Sequence, residues 1–285
     1  MKNECFICKK TKLRYFISLA TKYQSCSNCK TISMVNLPSD QQISDHYKKK
    51  NKQGNYLLNT NYKDYDDIYR PIIKIIKKKV NHFRELSILD IGCFRGFFLK
   101  LCMKQGWKIR GYEFQDEAIE FANNYLGKNV VKKKNLNNQS IKSETYEVVT
   151  LIGVVEHVKD PVKLIKNACK LVKKKGIIII QTPNSTSVIS NLLGKFWPCI
   201  APVEHLHLFS KDSLKMQFNN LNFKNIEVNT HWKYLTIDYV YKNLSNFGPQ
   251  IKKIIKPFYK ILPNFLRNKK LYFNGGEMLF IAQKI

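Results

Sequence analysis

From residue 86 onward the chain alternates short apolar runs with longer runs whose apolar residues recur every three or four positions. The short runs predict strands at 87–90, 108–113, 129–132, 147–152, 176–181 and 225–230, with a seventh at 277–284. The amphipathic runs at 97–105, 117–125 and 161–171 predict the helices between them. Strands alternating with helices imply an α/β fold, with a mostly parallel, doubly wound sheet of seven strands. Ahead of it, Ile68, Ile72, Ile75, Ile76 and Val80 recur at helical spacing and predict a helix that docks on this domain. Residues 235–272 are expected to form a helical insertion before the last strand. In that insertion Lys alternates with Ile, Phe and Leu, and Pro257 and Pro263 interrupt the pattern. A membrane-surface helix and a lid both fit such a segment, and the prolines favour the lid.

A chain of 285 residues holds one α/β domain of about 200 residues plus small appendages. The division expected is a module at 1–35, a connecting and helical segment at 36–83, and the α/β domain at 84–285. Cys5-Phe-Ile-Cys8 and Cys26-Ser-Asn-Cys29 are two C-x-x-C pairs separated by 17 residues. Four thiolates in this spacing close a tetrahedral Zn²⁺ site with no open position, so the expected metal is structural. Disulfides, disfavoured in a cytoplasmic chain, and an iron–sulfur site are the alternatives. Cys93, Cys102, Cys169 and Cys199 lack ligand spacing and are expected to be buried small hydrophobes. Met1 is followed by polar residues, and the longest apolar runs are too short to span a bilayer, so a cytoplasmic protein is expected.

The net charge is +28, yet only six of the 49 basic residues are arginine. Two readings stand: a Lys-, Asn- and Ile-rich composition of A/T-rich coding origin, or a polyanionic partner.

The run Ile88-Leu-Asp90-Ile-Gly92-Cys-Phe94-Arg-Gly96 ends a strand in an acid and opens a helix through a glycine turn. Glu113 follows 23 residues after Asp90, at the end of the second strand, where an acid grips ribose hydroxyls. A dinucleotide fingerprint needs a middle glycine where Phe94 stands, and Asp90 would repel a pyrophosphate. An acid there suits the ammonium of methionine, which favours S-adenosylmethionine.

These residues resemble motif I of the class I, Rossmann-like methyltransferases. Leu151-Ile-Gly153-Val-Val-Glu156-His157-Val-Lys-Asp160-Pro161 is similar to the fourth-strand motif of the branch containing ubiquinone-biosynthesis and sugar methyltransferases. Gly176 to Asn184 resembles that branch's fifth strand and loop, and Glu204-His205-Leu-His207-Leu-Phe209-Ser210 its post-loop signature. The resemblance runs from about residue 65 to the C-terminus. It implies that Asp90, Gly92 and Gly96 line the methionine part, that Glu113 binds ribose, that Asn135 and Leu136 sit where the family contacts adenine, and that Phe94 and Gly153 also belong to the cofactor site. The family often has Asp where Asn135 stands.

Methyl transfer to oxygen is helped by a base near neutral pH, and His is the side chain best matched to that task. His205, His157 and His207 are the candidates, His205 first. If the segment is extended, His205 and His207 share a face. Each His could instead brace a loop. Glu156 and Glu204 could pair with a His, or with a metal as in some ubiquinone-pathway relatives. The expected function is methyl transfer to a small-molecule or glycan acceptor, with oxygen favoured, in sugar, polysaccharide or lipid biosynthesis. An RNA methyltransferase that grips phosphate through the zinc module and the basic surface is the alternative. Peripheral membrane contact is a further expected partner.

Overall fold

The computed structural model describes residues 4–52, 62–81, 85–136, 145–243 and 249–285. The chain begins with β1 (Leu13–Ser18), β2 (Thr21–Cys26), β3 (Ile32–Met34), α1 (Asp40–Lys52) and α2 (Tyr62–Lys79). The alternating part follows: β4 (Ser87–Ile91), α3 (Phe97–Lys104), β5 (Lys108–Glu113), α4 (Asp116–Leu126), β6 (Val131–Lys133), β7 (Tyr146–Ile152), α5 (Pro161–Lys170) and β8 (Val172–Pro183). It continues through α6 (Val188–Leu193), β9 (His207–Leu208), α7 (Lys211–Met216) and β10 (Phe223–Thr230). Last come β11 (Lys233–Thr236), α8 (Ile237–Asn243), α9 (Pro249–Ile261), α10 (Asn264–Arg267), β12 (Lys270–Phe273) and β13 (Glu277–Lys284).

Seven strands form one sheet in the order β10-β13-β8-β7-β4-β5-β6. Strands β4 to β8 pair in parallel, and β13 runs antiparallel to both of its neighbours. These are the seven strands expected from the apolar runs. The order reverses at β4, with β5 on one side and β7 on the other. Doubly wound sheets take their ligands at the carboxyl ends beside such a reversal.

Strand alternation sends successive side chains to opposite faces. Leu89, Val149, Leu151, Ile178 and Ile180 face α5 and α7, where Leu164, Ile165 and Leu214 cover them. Ile88, Val148, Ile177 and Ile179 face the other way, onto α2 and α3 through Ile72, Ile76 and Phe98. The apolar stripe of α2 is thus buried on the sheet, with Ile75 only half-buried at its border. Asp160-Pro161 serves the start of α5: the Asp160 carboxylate accepts from the Lys163 N–H at 2.9 Å and proline takes the first turn.

Two smaller sheets lie outside this frame. The N-terminal strands β1-β2-β3 are completed by β9, which pairs antiparallel with β3. In the insertion, β11 and β12 form an antiparallel pair that brackets α8, α9 and α10. Pro257 sits inside α9 rather than ending it. It and Lys253, whose carbonyl loses its helical donor, are both exposed. Pro263 does interrupt, as the N-cap of α10. Among the described residues no helix is long and apolar enough to cross a membrane.

Ile76 is fully buried between α2 and the sheet. Ile76→Ala is expected to cost about 2–5 kcal/mol, read as a lower urea midpoint at unchanged slope.

Candidate active site

Asp90 ends β4 with 3% of its surface exposed. Its Oδ1 accepts the Thr150 hydroxyl at 2.6 Å. Burial pushes its carboxyl up to about 7, the Thr150 bond opposing and the Glu113 charge adding to the rise. Among the described residues it has no cationic partner. A desolvated carboxylate of this kind is stabilised by a bound cation.

The loop after Asp90 depends on left-handed backbone. Gly92 has φ +71°, and a Cβ there would lie 2.6 Å from Val154 Cγ2; Gly96 has φ +75° and opens α3. Phe94 occupies the same region at φ +48°, so the turn keeps its shape without a middle glycine. Its N–H donates to Glu113 Oε2 at 2.9 Å, while the Phe114 and Gln115 N–H groups donate to Oε1 at 2.7 and 3.1 Å. Three amides therefore hold this carboxylate in place at the end of β5. Beyond β6, Asn135 is exposed and Leu136 is buried. Gly153 has φ +64° and lies between the two halves of the site; a Cβ there would lie 3.7 Å from Gln181 Oε1 and 3.9 Å from Glu156 Oε1.

The second half gathers at the ends of β7 and β8. His205 Nδ1 lies 2.7 Å from the Cys199 carbonyl, and His157 Nδ1 lies 2.7 Å from the Glu204 carbonyl. A carbonyl only accepts, so each Nδ1 carries a proton, and a neutral His205 presents its lone pair at Nε2. The two rings meet edge to face at 4.8 Å. Glu156 is buried, its Oε1 stands 3.8 Å from His157 Nε2, and its Oε2 accepts the Thr182 hydroxyl at 3.0 Å. Burial pushes the Glu156 carboxyl up to about 7, and the neighbouring His205 opposes the rise. Burial and the His157 ring hold His205 below the usual histidine range, with Glu156 opposing. A neutral His205 Nε2 beside a carboxylate is arranged as a proton acceptor. One atom from each of Glu156, His157 and His205 lies within 4.8 Å of the others, a set that could also hold a divalent cation.

His207 stands apart from this cluster. The chain bends at Leu206 after a turn at 202–204, so His205 and His207 do not lie on one extended face. His207 is buried against the Phe6 ring at 4.5 Å, with Nδ1 3.1 Å from Ser33 Oγ and Nε2 3.3 Å from the Lys159 carbonyl. Burial lowers it to about 4, and it braces the N-terminal module. Glu204 turns toward His46 of α1 at 3.9 Å.

Tyr47 of α1 is the residue that pattern reading missed. Its hydroxyl lies 3.2 Å from His157 Nδ1, and burial plus the nearby Glu204, Glu156 and Glu113 charges push the phenol up, keeping it protonated. Its segment reads only as polar and Tyr-rich, which carries no signal for an inward-facing tyrosine.

Cys5, Cys8, Cys26 and Cys29 converge, with Sγ atoms 3.5 Å apart for Cys5 and Cys29 and 3.6 Å for Cys8 and Cys26. Zn–S bonds of about 2.3 Å in a tetrahedron place sulfurs about 3.8 Å apart, so this donor set fits zinc. The two C-x-x-C turns match: Lys9 and Lys30 each have φ +58°, and their N–H groups donate to the Cys5 and Cys26 carbonyls at 2.9 Å. Backbone amides of Ile7 and Cys8 point at Cys5 sulfur, and those of Asn28 and Cys29 at Cys26 sulfur, as thiolate ligands need.

Residues 63–228 match the family described as "Methyltransferase domain". The ubiquinone biosynthesis O-methyltransferase of Rickettsia bellii is 33% identical over 118 residues, 40% of this chain and 49% of that protein. The chain thus spans about half the length of the curated relatives it matches. A SAM-dependent methyltransferase from Archaeoglobus fulgidus superposes with a TM-score of 0.54 at 21% identity, covering 84% of this chain and 99% of that one. Magnesium protoporphyrin IX methyltransferase from Synechocystis PCC 6803, solved with SAH, gives 0.54 at 11%, covering 86% and 100%. At these identities the two structures speak for the fold.

The state of Asp90 sets a pH dependence for any ammonium-bearing ligand of this pocket. Below about 7 the free protein holds Asp90 protonated and unable to pair with a cation. Affinity for S-adenosylmethionine, measured by calorimetry, is expected to rise through pH 7 and level off above it. In Asp90→Asn it is expected to fall and lose that rise.

Proposed function

The chain belongs to the methyltransferase-domain family, and on that premise we propose that it transfers a methyl group from S-adenosylmethionine to an oxygen of a small-molecule acceptor. The observation that carries this reading is the pairing, at one end of the sheet, of a cation-seeking Asp90 and an amide-held Glu113 with an unprotonated His205 Nε2.

S-adenosylmethionine, when bound, supplies an electrophilic methyl group on a sulfonium that leaves readily. Asp90 would take its ammonium and Glu113 its ribose hydroxyls, with Leu136 and Asn135 beside the adenine. His205 Nε2 accepts the proton of the acceptor hydroxyl, and the Glu156 carboxylate stabilises the imidazolium that results. The Cys199 carbonyl keeps His205 in the required tautomer. His157, between Tyr47 and Glu204, positions that ring from the side.

The Rickettsia relative's name supports oxygen as the acceptor atom and a small molecule as its carrier. Sugar, polysaccharide and lipid precursors are the acceptor classes we favour. A zinc ion held by the four cysteines is structural in this reading. Its module supplies β3, which pairs with β9 directly after His205. Cys29 and Lys30 carbonyls also accept the Ser210 and Ser185 hydroxyls at 2.6 Å each. A metal bound there would therefore steady the strand that follows the base.

Two measurements test this. Purified protein is expected to bind S-adenosylmethionine, and His205→Ala to lower methyl transfer by about 10²–10⁴-fold with cofactor affinity unchanged. An absence of cofactor binding by the wild type would sink the reading. Purified protein is also expected to carry near-stoichiometric zinc. Cys8→Ser/Cys26→Ser is expected to lose it and to lower turnover more than cofactor affinity, because Asp90 and Glu113 sit on other elements.

A further inference from the structure

The insertion between β10 and β13 departs from the rest of the surface in charge. Between Asp238 and Glu277 the chain has no acidic residue, seven lysines and one arginine. It departs in polarity as well. Helix α9 is anchored by one face: Tyr259 stacks on Tyr241 at 3.7 Å, its hydroxyl donates to Asp238, and Arg267 covers its ring. The opposite face carries Ile254, Phe258 and Ile261, spaced i, i+4 and i+7, and exposed by 68%, 71% and 80%. Phe265 of α10 adds a fourth apolar side chain, 74% exposed. Lys253, Lys256 and Lys260 of the same helix are also exposed.

A helix that only packs as a lid has one apolar face, and this one has two. The outer stripe is unpartnered among the described residues, and it is continuous over about two turns because Pro257 does not break the helix. We propose that the outer face of α9 and α10 docks the protein on an anionic phospholipid bilayer. The apolar side chains enter the acyl boundary, and the lysines meet headgroup phosphates. Both halves of the match are needed. A neutral hydrophobic partner leaves the exclusion of acids unexplained, and RNA satisfies the lysines while leaving Ile254 and Ile261 in water. The insertion is rooted at the carboxyl end of the sheet: the His231 N–H donates to the Glu277 carbonyl, and the Asn184 N–H, just past β8, to the Gly276 carbonyl. Docking therefore brings the bilayer to the end of the molecule that holds Asp90 and His205. Docking is independent of methyl transfer, and its test reads binding rather than turnover.

The full chain is sedimented with extruded vesicles at about 0.15 M salt. Vesicles containing about 30% phosphatidylglycerol are expected to pellet it at least about tenfold better than pure phosphatidylcholine. Ile254→Ser/Phe258→Ser/Ile261→Ser and Lys253→Glu/Lys256→Glu/Lys260→Glu are each expected to weaken that binding by about tenfold or more. Both keep the wild-type melting temperature, because the replaced side chains are exposed. Leu192→Ser/Phe196→Ser, on a different exposed apolar patch, is expected to bind like wild type. The proposal is overturned if anionic vesicles do not pellet the wild type, or if the triple Ser variant pellets undiminished. It is overturned equally if the Leu192/Phe196 pair alone carries the effect, or if the Lys variant loses RNA binding while vesicle binding is unchanged.

Discussion

Residues 206–209 are hydrogen-bonded along both edges, and the site depends on that double attachment. On one edge β9 pairs with β3, Ile32 opposite Leu208 and Ser33 opposite His207. On the other, the Leu206 and His207 N–H groups both donate to the Glu156 carbonyl, at 2.7 and 3.2 Å, and the Ser185 N–H donates to the Phe209 carbonyl at 2.8 Å. A two-residue strand gains little alone. Held between the cysteine module and the ends of β7 and β8, it becomes the fixed mount for His205. The same attachment explains why His207 is buried and braced while His205, two residues earlier and just past the turn, faces Glu156 and His157.

The electrostatics of the two halves follow one rule. Asp90 and Glu156 are both buried carboxylates, each held by a threonine hydroxyl and each raised to about 7. Burial disfavours the charged form, and each carboxylate gains most when a cation arrives: a ligand ammonium at Asp90, an imidazolium at Glu156. Glu113 accepts three backbone amides. The site thus keeps its cation-binding capacity unspent in the free protein and holds its hydroxyl-binding group rigid.

Much of this was legible in the chain before folding. The seven strands, the apolar stripe of α2, the glycine turn and the paired C-x-x-C motifs are local patterns, set by side-chain period and by the conformations that glycine allows. Elsewhere local rules misled. Phe94 adopts a backbone conformation associated with glycine, sustained by its N–H bond to Glu113. Pro257 lies within α9, at an exposed position.

The order of residues was enough to specify the sheet, the cofactor loop and the four-cysteine cluster, since each rests on residues near one another in the chain or on a period that repeats along it. Packing in three dimensions was needed to settle which histidine meets a carboxylate, that Tyr47 reaches His157 across 110 positions, and which face of α9 is left outward. Those outcomes depend on long-range contacts: a side chain two positions along a turn, or half a turn around a helix, changes partner without any change in pattern.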